Sequence, residues 1–131
     1  MSYKPPADVA RAARRGLGQR ALSSKSKKGG TSIGEGRARA LAEPRAVSLE
    51  TVKRMLTFFS RHLVDKQGRT WSEKGKGWQA WHLWGGDPGA RWAAKIVRRE
   101  DPAWFAQFLK GPRNRAMLRH VGASTRRVPN G

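Results

Sequence analysis

Ser48-Leu-Glu-Thr-Val-Lys-Arg-Met-Leu-Thr-Phe-Phe-Ser-Arg-His-Leu63 is the stretch that decides the fold class. Val52, Met55, Leu56, Phe59 and Leu63 recur at the spacing of one helical face, while Lys53, Arg54 and Arg61 fall off that stripe. Ser48 brings the hydroxyl of an N-cap, and Glu50 sits in the positively polarised first turn. The segment predicts a strongly amphipathic helix that needs other apolar faces to cover it.

Those faces are found on both sides. Downstream, Trp78, Trp81 and Trp84 are spaced by three, so Gly77 to Trp84 reads as a helix that Gly85-Gly86 stops. Asp87-Pro88 then has the form of an N-cap with proline in the first turn, ahead of the stripe Trp92, Ala93, Ile96 and Val97. Asp101-Pro102 repeats the device before Trp104, Phe105, Phe108 and Leu109, and Gly111-Pro112 closes it, leaving a weak helical pattern at 113–120. Upstream, Ser32-Ile-Gly-Glu35 has capping-box spacing and predicts a helix over 33–42, ended by Pro44. Pro5-Pro6 opens another, with Val9, Ala13 and Leu17 on one face and Gly16 and Gly18 weakening its middle. Residues 23–30 and 65–76 read as loops. No strand alternation and no hairpin signal intervene. The expected fold is all-α, a small single-domain bundle of four to six short helices with basic, partly flexible termini. Its expected parts are a basic N-terminal arm and linker (1–30), a helical domain (31–110) and a basic C-terminal tail (111–131).

Charge dominates the composition. Lysine and arginine number 28 against nine acids in 131 residues, a net charge of +19. Residues 1–30 hold eight basic residues and one acid, residues 102–131 six and none, and the middle fourteen and eight. Such an excess opposes compaction by self-repulsion and favours a polyanion, which releases its condensed counterions on binding. Cysteine is absent, which excludes disulfides and thiolate metal sites. No apolar run has the length of a membrane span, no apolar stretch follows the first residues, and Pro5-Pro6 sits where a transit helix would begin.

Catalysis finds no foothold. His62, His82 and His120 lack metal-ligand spacing, and Asp65, Asp87 and Asp101 read as turn or cap residues. His62 either caps its helix or faces a phosphate. The glycines at 29, 30, 34 and 36 match neither a Walker loop nor a dinucleotide fingerprint. Lys27-Lys28-Gly-Gly-Thr-Ser32 still gathers ammonium groups and backbone N–H groups, suited to one phosphate of a polymer or else to a solvated hinge. Trp71, in a polar loop, either stacks on a base or packs back on the core. The expectation is a protein that is not an enzyme, with no cofactor, no metal and no membrane contact. Its partner is nucleic acid, DNA foremost, held by charge with little sequence preference. Arg11, Arg14, Arg15, Lys25, Lys27 and Lys28 form one phosphate-contacting arm. Arg113, Arg115, Arg119, Arg126 and Arg127 form the other, with Lys53, Arg54 and Arg61 as the ordered surface between.

Lys25-Ser-Lys-Lys-Gly-Gly-Thr-Ser-Ile-Gly34, Ser48-Leu-Glu-Thr-Val-Lys-Arg-Met55, Phe58-Phe-Ser-Arg-His62 and Trp81-His-Leu-Trp-Gly-Gly-Asp-Pro-Gly-Ala-Arg-Trp-Ala93 together resemble a small module of tailed-bacteriophage and prophage proteins. The likeness spans about 25–97, and Leu83-Trp-Gly-Gly-Asp87 is its most specific part. It implies a phage origin and places the protein in the bacterial host cytoplasm or the virion. It carries no activity and no site residues with it, and Glu73–Gly77 is shorter than the glycine-containing segment that members often have there. A virion structural or assembly protein gripping capsid, portal or tail subunits is the alternative expectation. An inhibitor of an acidic host protein is a weaker one.

Overall fold

The computed structural model describes residues 1–43 and 45–128, with the side chain of Ile33 outside that description. The chain is all-α, as the periodicity predicts. Its helices are α1 (Ala7–Leu22), α2 (Ser32–Ala42), α3 (Leu49–His62), α4 (Lys76–Leu83), α5 (Gly86–Glu100), α6 (Pro102–Phe108) and α7 (Pro112–Val121). Short 3-10 turns occupy Lys25–Lys27 and Leu63–Gln67. Two-residue strands, β1 (Ser2–Tyr3) and β2 (Val47–Ser48), pair antiparallel with Ser2 opposite Ser48. A ladder this short leaves no alternation in sequence.

The core is built on α5. Its small residues Gly89, Ala90, Ala93 and Ala94, with Ile96 and Val97, are buried, so α1, α3, α6 and α7 all pack against it. From α3 come Val52, Met55, Leu56 and Phe59, at most 1% exposed, four of the five residues of the predicted stripe; the fifth, Leu63, lies in the 3-10 turn beyond α3 and is partly buried. Burying a side chain such as Phe59 contributes about 1.5–3 kcal/mol.

Two boundaries move. The N-terminal 30 residues are not an arm beside the domain: α1 buries Val9, Ala10, Ala12, Ala13 and Gly16 against α2, α4 and α5. Nor does the domain stop at residue 110, because α7 places Met117, Leu118 and Val121 in the same core. The face read from Val9 and Ala13 is the one that packs, widened by Ala10, Ala12 and Gly16, whose small side chains carry little apolar signal beside four arginines. The expected end of α2 at Pro44 and the last three residues of the tail lie outside the described residues.

The caps split likewise. Ser48 Oγ accepts from the Thr51 N–H at 3.2 Å, and Asp101 Oδ1 from the Trp104 N–H at 3.1 Å, as their sequences indicate. Thr31, not Ser32, caps α2, accepting from the Gly34 N–H at 3.1 Å, and Glu35 turns to arginines instead. Asp87 is no cap either. The αL residue Gly85 (φ 108°) starts α5 two residues early, and the Asp87 carboxylate accepts from Lys66 (2.6 Å) and the Trp81 indole N–H (2.8 Å). No helix among the described residues is long and apolar enough to cross a membrane.

Candidate nucleic-acid interface

Six of the nine acids make ion pairs within the chain; Asp8, Glu50 and Glu73 do not among the described residues. Glu35 bridges Arg20 (2.6 Å) and Arg39 (2.9 Å), Asp101 holds Lys53 (2.7 Å), and Asp87 holds Lys66 (2.6 Å). Arg45 pairs with Glu43, Arg99 with Glu100, and His62 with Asp65. Among the described residues no other lysine or arginine has a carboxylate partner. The cationic excess is therefore carried on the surface rather than neutralised internally.

The residues expected at the interface divide into three groups. Arg11 and Arg15 stand exposed on the outer face of α1, and exposed Arg14 donates to the Ala42 carbonyl at 2.7 Å. Lys25, Lys27, Arg54, Arg61, Arg113, Arg119, Arg126 and Arg127 are exposed as well. Lys28, Lys53 and Arg115 have internal work. Lys28 Nζ folds back onto the carbonyls of Arg20 (2.7 Å) and Ser23 (3.0 Å). Lys53 lies on Asp101 and over the Trp104 ring, and Arg115 bonds the carbonyls of Leu109 (2.7 Å) and Lys110 (3.1 Å) at the end of α6.

Three neighbouring depressions, each sharing one lining residue with the next, make up a segmented groove. The first, about 440 Å³, lies between the end of α1 and the segment before α4, with Lys27, Lys74 and Lys76 around it and Gln79 in its lining. The second, about 530 Å³, is lined by Lys76, Arg61, His62, Phe58 and Trp84. The third, about 210 Å³, holds Arg61 and Arg113. Lys76 lines both the first and the second and Arg61 both the second and the third, so five cations border the three depressions against two acids, Glu73 in the first and Asp65 in the second. Arg61 and Arg113 are the two expected residues that the fold brings together across one depression. Lys74 and Lys76 complete the set; in sequence they are merely the lysines of a glycine-containing loop.

Gln79 orders the upstream bank of this groove. It is 1% exposed and lies on α4. Its Oε1 accepts from the Gly29 N–H (2.7 Å), and its Nε2 donates to Ser23 Oγ (2.9 Å) and the carbonyl of Lys74 (3.0 Å). A satisfied buried amide of this kind rigidifies what it touches. Of the groups at Lys27–Ser32 that suited either a phosphate or a solvated hinge, the Gly29 N–H is taken by Gln79 and Lys28 points back into its own chain. Lys74 is held at φ 57°, an uncommon conformation for a residue with a long side chain, with its ammonium 5.4 Å from the Trp78 ring centroid.

Aromatic rings line the middle of the groove. Trp84 stacks on Phe58 (centroids 4.6 Å apart, planes 12° apart), and Phe58 stacks on His62 (4.4 Å, 22°). The His62 Nδ1–Asp65 Oδ2 contact at 3.0 Å sets the imidazole orientation. The Arg37 guanidinium lies over the Trp84 indole at 5.0 Å, and burial together with the neighbouring Arg54 lowers its pKa. Trp71 packs inward, edge-on to Trp81 at 6.2 Å, so the indole that reaches the groove is Trp84. Away from it, burial pushes the His82 imidazole below the ordinary histidine range, against the opposing bond to the Trp78 carbonyl. Burial would raise the Asp87 carboxyl, but the hydrogen bonds from Lys66 and Trp81 together outweigh it and hold the pKa low.

The chain matches no known family model, no curated protein and no solved structure.

Proposed function

We propose that this chain is a phage-encoded basic protein that binds nucleic acid, DNA foremost, by charge and largely without sequence preference, in the bacterial host cytoplasm or the virion. The observation that carries the reading is the groove joining Lys27, Lys74, Lys76, Arg61 and Arg113, none of which has a carboxylate partner among the described residues. Cations spaced along a path match the repeating charge of a phosphate backbone, which positions a protein without reading sequence.

The test is equilibrium binding of the nuclease-treated protein to random-sequence DNA across a salt series. With six to ten phosphates engaged, affinity falls roughly 10³–10⁵-fold between 50 and 200 mM salt. Lys74→Ala, Lys76→Ala and Arg61→Ala each weaken binding uniformly across sequences and flatten the log–log slope by about one. Failure to bind any nucleic acid at low ionic strength overturns the reading.

A further inference from the structure

We infer that the strand this groove takes is unpaired, and that one of its bases stacks on the exposed end of the Trp84–Phe58–His62 column. The inference rests on the reading above and deepens it by naming the form of the ligand. The column stands among the groove's cations: Trp84, Phe58 and His62 line the same depression as Arg61 and Lys76. At its inner end the rings are packed, with Phe58 5% exposed and Arg37 lying over Trp84. At its outer end the His62 side chain is 41% exposed, and Asp65 fixes its plane. A flat ring held in orientation at the end of a stack, in a depression that Arg61 and Lys76 also line, has the features of a single-strand platform: charge tracks the backbone while aromatic faces take the bases. A base inside a duplex is paired and stacked on both faces and has none to offer. Lys74, kept over Trp78 in an uncommon backbone conformation, adds a cation upstream along the same path.

Fluorescence anisotropy with the full chain at low salt tests this. The probes are a dT oligomer of about 20 nucleotides, the matching rU oligomer, an abasic strand of equal charge and a random duplex. Both base-bearing strands are expected to bind at least about fivefold tighter than the abasic strand, and the difference between them names the natural sugar. His62→Ala brings the base-bearing strands down to the affinity of the abasic strand measured with the same variant, whereas His62→Phe restores the difference. The wild-type comparison of base-bearing with abasic strand needs no variant to fold. If all four probes bind according to charge alone, stacking is wrong and the charge reading stands. If none binds, both fall.

Discussion

At the scale of single residues, a buried amide and a half-buried imidazole set the terms. Gln79→Ala strips partners from the Gly29 N–H and from the Ser23 and Lys74 oxygens. Each buried polar group left unsatisfied costs about 1–3 kcal/mol, so a loss of about 3 kcal/mol is expected in urea denaturation. Loosening of the groove's upstream bank should accompany it, seen as faster amide exchange at 23–30. The pH dependence follows from His82 and Asp87. The folded pKa of His82 is depressed, so its contribution is fully present above the unfolded value of about 6.5 and declines as pH falls below it. The Asp87 pKa is also depressed, so its contribution is lost further down, as pH falls below the ordinary carboxylate value of about 4. Denaturation midpoints measured from pH 8 to pH 3 should fall in two stages. His82→Gln should flatten the first, and Asp87→Asn should lessen the second, to which the lowered Glu35 and Asp101 carboxyls also contribute.

At the scale of elements, two glycines of α1 that look alike in sequence behave oppositely. A Cβ on Gly16 would stand 2.6 Å from the Leu83 backbone nitrogen, because α1 and α4 touch there backbone to backbone. A Cβ on Gly18 meets nothing within 4 Å. Gly16→Ala should therefore force the helices apart and destabilise the protein, whereas Gly18→Ala should stabilise it by about 0.5–1 kcal/mol through helix propensity and unfolded-state entropy. Gly85 is constrained differently. At φ 108° it starts α5, and Gly85→Ala should cost about 1–3 kcal/mol, measurable in the same urea series. The helices themselves were readable because each carries local punctuation: Ser48, Asp101-Pro102, Gly111-Pro112. Caps chosen by tertiary neighbours were not readable. Asp87 has the residues of an N-cap, yet a charged hydrogen bond from Lys66 and the Trp81 N–H claim its carboxylate.

At the scale of the whole molecule, the unbalanced charge has to be held against its own repulsion. Adding monovalent salt screens exposed charges within about 10 Å, so the melting temperature should rise between about 10 and 150 mM salt, by about 4 °C or more. A short polyphosphate should do the same at far lower concentration, through binding to the folded form. Deleting residues 1–24 should not simply trim an arm. With Val9, Ala12 and Ala13 gone, circular dichroism should report loss of the fold, so the contribution of α1 to binding is properly measured by substituting Arg11, Arg14 and Arg15.

The sequence by itself determined the helical class, the core stripe of α3, the capped starts of α3 and α6, and a charge too large to neutralise internally. These are properties of composition or of residues within one or two helical turns, where spacing alone decides. Only the tertiary structure decided that α1 and α7 belong to the core, that Lys28 and Lys53 turn inward, and that Lys27, Lys74, Lys76, Arg61 and Arg113 share one groove. These depend on which backbone segments lie side by side after packing. Gln79 joins residues some fifty positions away from it, a relation that no local pattern of residue types encodes.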